Sequence, residues 1–219
     1  VRATRSGSLG TMLIVMFVFL IVVQSVWVVV LGQDSFHYSD TVRLDHMARD
    51  IVTTGDWSVV GTPVGVDSTP YLVDFPFQSG SLMLFVLVYS LFGAGNVVAF
   101  QLVNAVLNAI AALAVVGITG EMSHDDGTAR TSTIMLMGFM PLVASCSFVY
   151  CNSAGMALSF VSLLVQCVAM RSTGTRQVAL GALSMASMFL AIAVKGTCVL
   201  FLIPMAVMWV VFAIRHRSV

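Results

Sequence analysis

Carboxylates can act as general bases or bind ligands, and in this chain most of them are gathered in one place. Seven of the ten Asp and Glu residues lie between Gln33 and Gly80: Asp34, Asp40, Asp45, Asp50, Asp56, Asp67 and Asp74. The other three, Glu121, Asp125 and Asp126, share one later loop. Ionisable groups are costly inside a bilayer, so polar chemistry collects at the ends of membrane spans. The 33–80 segment is therefore expected to carry the chemistry or the binding. Within it, Asp34, His37 and Asp40 stand three apart. On a helix they are neighbours and can hold a divalent ion. The capping signals instead start the helix at Ser39 or Asp40, which leaves Asp34 and His37 off it. His46 with Asp50, and Asp45 with Arg49, have the spacing of surface pairs on a helix. Far along the chain, Lys195 is the only charged residue between Arg176 and Arg215. It falls at a span end, where a cation can meet a lipid phosphate or a leaving phosphate, or simply reach the interface.

The elements that must position these residues are membrane helices. The chain is 58% hydrophobic and 9% charged, against roughly 25% charged for soluble domains. Long apolar runs recur without strand-like alternation, so the expected class is an all-α, polytopic membrane helix bundle. Zero net charge offers no surface for nucleic acid. Cys146, Cys151, Cys167 and Cys198 are scattered through apolar runs, without zinc-site or disulfide spacing. They are expected to be buried free thiols.

Thr11–Leu31 is long enough to span a bilayer, which takes about 20 residues. It is also longer than the apolar core of a signal peptide. Ser81–Phe92 is apolar but short. Charge decides whether it crosses. If it stays on the outer side, seven of the ten cationic residues become cytoplasmic: Arg2, Arg5, Arg130, Arg171, Arg176, Arg215 and Arg217. If it crosses, only Arg2, Arg5 and Lys195 do. The positive-inside rule selects the first topology, with an interfacial or re-entrant helix at 81–92. Six spans follow: Thr11–Leu31, Val97–Ile118, Thr133–Phe148, Ala154–Met170, Val178–Val194 and Gly196–Ile214. Both chain ends are then cytoplasmic, with 33–80 and Lys195 outside, in the plasma membrane. Pro141 and Pro204 are expected to kink their spans. Gln101, Asn104 and Asn108 share one face of the second span, open either to other helices or to a substrate path.

In the outer loop, Leu44, Met47, Ala48 and Ile51 form the apolar side of a helix that Gly55 ends. The segment Tyr71–Gly80, YLVDFPFQSG, suits a membrane interface or an aromatic wall for a sugar or isoprenoid chain. The His124-Asp125-Asp126 loop reads as a solvated turn.

These residues resemble the N-terminal module of the GT-C glycosyltransferases, the superfamily of protein O-mannosyltransferases, the lipid A aminoarabinose transferase and the catalytic subunit of oligosaccharyltransferase. Many bacterial members follow the first span with a helix of the form D-x3-Y-x3-A-x6-G-D-W. Asp40, Leu44, Ala48 and Gly55-Asp56-Trp57 fall at those spacings, with Leu44 in place of the aromatic. Asp34 with Tyr38 fits the first half of the pattern only. Phe75-Pro76-Phe77-Gln78, Leu91-Phe92-Gly93 and Lys195-Gly196-Thr197 are similar to later family segments. Asn152 stands where an acid is common. The resemblance covers nearly the whole chain as one module, 1–219, with fewer spans than its members generally have, which implies the front part of a longer enzyme.

The resemblance implies transfer of a sugar from a polyprenyl-phosphate carrier to an acceptor at the outer face. Asp40, with Asp34 as runner-up, is the implied general base. Lys195, Arg43, Tyr71, Gln78 and Asn152 are the implied substrate contacts. A divalent cation is compatible with the family but not indicated by the residues. The implied partners are the lipid-linked donor and membrane lipids. The competing reading is a non-catalytic or truncated membrane module that binds lipid-linked glycan or a partner protein.

Overall fold

The computed structural model describes residues 2–31, 39–63 and 69–217, and the described chain is helical without strands. Ten α-helices follow in order: α1 Arg2–Leu31, α2 Ser39–Thr54, α3 Tyr71–Asp74, α4 Ser79–Phe92, α5 Val97–Ser123, α6 Asp126–Met137, α7 Met140–Ser145, α8 Asn152–Met170, α9 Gly174–Val194 and α10 Leu202–Arg217. Short 3-10 turns cover Trp57–Gly61, Pro76–Gln78 and Gly196–Phe201. Five segments are long and apolar enough to cross a membrane: Ser8–Leu31, Val97–Ser123, Asn152–Met170, Gly174–Val194 and Gly196–Ile214. The protein is a polytopic membrane helix bundle. Much of its apolar surface faces outward, as at Val15, Val22, Val29, Phe189 and Val210.

The expected span Thr133–Phe148 is the main correction. It is not one helix but α6 and α7, broken at Gly138 and Phe139. Pro141 lies in the first turn of α7, where its missing N–H and fixed φ are harmless; deeper in a continuous helix it would remove a hydrogen bond and clash with the preceding turn. After Ser145 the chain continues as irregular backbone. Buried carbonyls without partners are expensive in an apolar interior, and the amide stripe of α5 meets this need. Asn108 donates to the Leu142 carbonyl (3.1 Å), the Ser145 hydroxyl (3.0 Å) and the Gln24 side-chain oxygen (2.9 Å). Asn104 donates to the Phe148 carbonyl (2.7 Å), and Gln101 to the Ser147 carbonyl (2.9 Å). Gln24, fully buried on α1, donates to the Ala105 carbonyl at 3.3 Å. The stripe is thus a packing device that lets a broken segment run back along α5. Pro204 sits in the first turn of α10, just after the 3-10 turn, a position a helix accepts without kinking.

The amphipathic helix α2 forms as expected, and Gly55 ends it at φ +74°, its N–H bonded to the Ile51 carbonyl. Leu44, Met47, Ala48 and Ile51 are buried in one cluster with Leu82, Phe85, Val88 and Tyr89 of α4 and Phe100 of α5. α4 does not cross. Its first turn abuts the end of α9 at Ala193 and Val194, and its last leads into the start of α5, and these two helix ends lie at the same end of the bundle. At the α4–α5 turn, Gly95 has φ +72°, and a Cβ there would fall 2.6 Å from the Arg49 guanidinium carbon.

Asp45 and Arg49 do pair, at 2.7 Å, but not as a surface pair. The Asp45 side chain is only 6% exposed, and the Tyr89 hydroxyl also donates to it. Burial, and then the Asp45 carboxylate it serves, push the Tyr89 hydroxyl well above the ordinary phenol range. Replacing Tyr89 with Phe leaves a buried carboxylate oxygen short of a donor. The expected loss is about 1–3 kcal/mol, read as a lowered unfolding temperature in detergent; an unchanged temperature would show that Arg49 alone satisfies Asp45.

Candidate functional site at the Lys195 end

Four separate parts of the chain meet where α4, α8 and α9 come together: the start of α2, the 71–78 segment, the turn before α8 and the turn after α9. The last is held most tightly. Lys195 caps the C-terminus of α9, its N–H bonded to the Ala191 carbonyl at 2.8 Å. A cation is favourable there because the helix dipole is negative at that end. The Ser81 hydroxyl donates to the Val194 carbonyl at 2.8 Å. Two glycines permit the close approach. A Cβ on Gly80 would lie 1.9 Å from the Ala193 carbonyl oxygen, and a Cβ on Gly155 would lie 2.8 Å from Lys195 Cβ.

Tyr150 is the hub. Lys195 Nζ sits 3.7 Å from the centroid of its ring, a cation–π contact within the usual reach of about 6 Å. Gln78, itself buried, donates from Nε2 to the Tyr150 hydroxyl. Lys195 and Gln78, with Phe77, Gly196 and Thr197, line a cavity of about 400 Å³. On the other side, Tyr150 is close enough to Tyr71 to act on its hydroxyl electrostatically.

Tyr71 links the hub to Asp40. Its side chain is buried, and its hydroxyl lies beside the Asp40 carboxylate. Burial first, then the neighbouring Asp40 carboxylate, then Tyr150 push that hydroxyl far above the usual phenol range, so it stays protonated. The Arg43 guanidinium carbon lies 5.5 Å from the Tyr71 ring centroid. Tyr71, Phe75 and Phe77 continue as an aromatic series, with ring centroids 5.1 and 6.0 Å apart, leading from Asp40 to the cavity. The arrangement offers a carboxylate at one end, an aromatic wall between, and a cation with a carboxamide at the other.

Asp40, Arg43, Tyr71, Gln78 and Lys195, distant in sequence, are therefore brought into one cluster. Asn152 is not part of it. It opens α8, is exposed, and does not line the cavity. Asp34 and His37 lie outside the described residues; among those described, no group of three His, Cys, Asp or Glu residues is placed to hold a metal ion. Asp56 of the Gly-Asp-Trp segment caps the next 3-10 turn, accepting from the Ser58 N–H at 2.8 Å and from the Ser58 hydroxyl at 2.7 Å. Those two bonds lower its pKa. Sequence reasoning missed Tyr150 as a site residue. Its signal was position alone: an aromatic in the short turn expected on the same side as Lys195. Cys151, beside it, is buried, with its thiol pushed up to about 12 chiefly by that burial, which disfavours the reactive thiolate. Compared with protein-family models, curated proteins and solved structures, the chain finds no match; what stands is a polytopic membrane helix bundle with this cluster at one end.

Proposed function

We propose that the chain is the membrane module of a glycosyltransferase that moves a sugar from a polyprenyl-phosphate carrier to an acceptor hydroxyl at the outer face. Asp40 accepts the hydroxyl proton as the oxygen attacks the anomeric carbon. The bond from that carbon to the carrier phosphate breaks, and the phosphate leaves with the electron pair. Lys195 stabilises its charge, with Gln78 as a neighbouring donor. Arg43 and Tyr71 hold the sugar or acceptor beside Asp40. The observation that carries this reading is the run Asp40–Tyr71–Tyr150–Lys195, ending at the cavity. The Tyr71 hydroxyl, buried beside the Asp40 carboxylate, supports it further by linking the acid to the aromatic wall.

The same reading puts the Lys195 end outside the plasma membrane and both chain ends in the cytoplasm. The distribution of Arg130, Arg171 and Arg176 at the opposite end supports this orientation. The test is release of polyprenyl phosphate by the purified protein in vesicles, supplied with polyprenyl-phosphate hexoses and pentoses. Lys195→Ala should raise the KM for the donor about tenfold or more, the scale of one lost charge-assisted hydrogen bond; an unchanged KM would remove Lys195 from donor binding. Asn152 outside the cluster favours a second reading, a binder of lipid-linked glycan without catalysis. Donor bound by the intact protein, with no phosphate released, would establish that reading instead.

A further inference from the structure

The opposite end of the bundle holds a second cavity, of about 500 Å³, between α5, α8 and α10. That lies within the roughly 300–1,000 Å³ of small-molecule sites. Its wall is largely apolar, with Met170, Val211 and Phe212 among its residues. Its polar part is one cluster. Arg171 Nη1 meets the Glu121 carboxylate at 2.6 Å, and Nη2 contacts His124 Nδ1 at 2.6 Å and the Glu121 carbonyl. Arg171 and Glu121 remain 45% and 31% exposed, so both can reach a ligand at the mouth.

The charges restrict what fits. A purely anionic headgroup would meet Arg171 but also face Glu121. The C-termini of α5 and α8 both lie here, and their dipoles favour a cation. A trimethylammonium group has no N–H for a carboxylate. A headgroup with both a phosphodiester and a primary ammonium satisfies each side. The phosphate accepts from Arg171, and the ammonium donates to Glu121. The apolar wall, on helices suited to a bilayer, takes an acyl chain.

We propose that this cavity binds a glycerophospholipid with a phosphoethanolamine headgroup, its phosphate at Arg171, its ammonium at Glu121 and an acyl chain along Met170, Val211 and Phe212. The site is independent of the transferase reading.

The test uses the full chain in phosphatidylcholine vesicles doped with phosphatidylethanolamine or phosphatidylglycerol, with lipid retention measured by native mass spectrometry after gentle detergent release. Phosphatidylethanolamine should be retained about tenfold better than either other lipid, as for one charge-assisted hydrogen bond. Glu121→Gln should erase the preference for ethanolamine over choline while leaving overall retention, and Arg171→Gln should weaken all three lipids. If the charge variants fail to fold, Val211→Trp fills the cavity without touching the ion pair and should abolish the preference. Equal retention of the three lipids, a preference for phosphatidylglycerol, or a preference surviving Val211→Trp would overturn the proposal. Soluble phosphoethanolamine should compete weakly; competition as strong as the lipid's would make this a free-headgroup site and refute the acyl-chain assignment.

Discussion

Asp40→Asn is expected to lower sugar transfer by about 10²–10⁴-fold, the usual contribution of a general base, with the fold unchanged. The substitution separates two roles. Asp40 lies in the first turn of α2, where a carboxylate meets the positive end of the helix dipole, an effect of about 0.3–1 kcal/mol. Asn keeps the shape and caps helices nearly as well as Asp. A purely structural Asp40 therefore predicts a small drop in unfolding temperature and normal turnover. A catalytic Asp40 predicts the reverse: near-normal stability, normal donor binding and lost turnover. Asp40→Glu, which restores the carboxylate at a different reach, should recover part of the rate. Equal turnover by the wild type and the Asn variant would take Asp40 out of the chemistry, and Asp34 would then be the next acid to test.

Among the described glycines, Gly80→Ala is expected to be the most damaging. The new Cβ would sit 1.9 Å from the Ala193 carbonyl oxygen and 2.5 Å from its carbon. Both are backbone atoms, so no side-chain rotation relieves the overlap; α4 or α9 must move. Overpacking typically costs about 1–3 kcal/mol, occasionally more, and this contact belongs at the upper end. Moving α4 from α9 also stretches the bond from Ser81 to the Val194 carbonyl, one residue before Lys195. The variant should therefore lose both thermal stability and donor binding. Gly155→Ala supplies the control. Its Cβ would meet Cys198 Sγ at 2.7 Å, which can rotate away, and Lys195 Cβ at 2.8 Å, which can move only with its backbone. It should disturb Lys195 with a smaller loss of stability. Wild-type unfolding and donor affinity in Gly80→Ala would mean that the approach of α4 to α9 does not hold Lys195 in place.

Much of the fold was legible because its causes are local. Apolar run lengths mark the five long helices. The 3.6-residue spacing of Leu44, Met47, Ala48 and Ile51 marks α2, and Gly55 marks its end. The shortness of 81–92 marks α4 as an apolar helix below spanning length. These depend on neighbouring residues and on the bilayer as solvent, both readable in one dimension. The acids of 33–80 and the isolated Lys195 likewise stood out because charge is rare in such a chain.

What needed the tertiary structure depends on partners far apart in sequence. Thr133–Phe148 has the composition of a span, yet it breaks, because Asn104, Asn108 and Gln101 on α5 supply the donors its freed carbonyls require. Composition cannot show that those donors face that segment. The spacing of Asp45 and Arg49 pairs them but does not bury them; the packing of α4 against α2 does. Tyr150 became a hub only once α8, α9 and the 71–78 segment converged, bringing Lys195 and Gln78 to it from distant parts of the chain. By itself, the sequence determined a helical membrane bundle with seven of its ten acids in one segment. The tertiary structure decided which of those acids is buried in an ion pair and which lies beside a buried tyrosine. Burial is set by helices packing across the whole chain, and no local spacing encodes it.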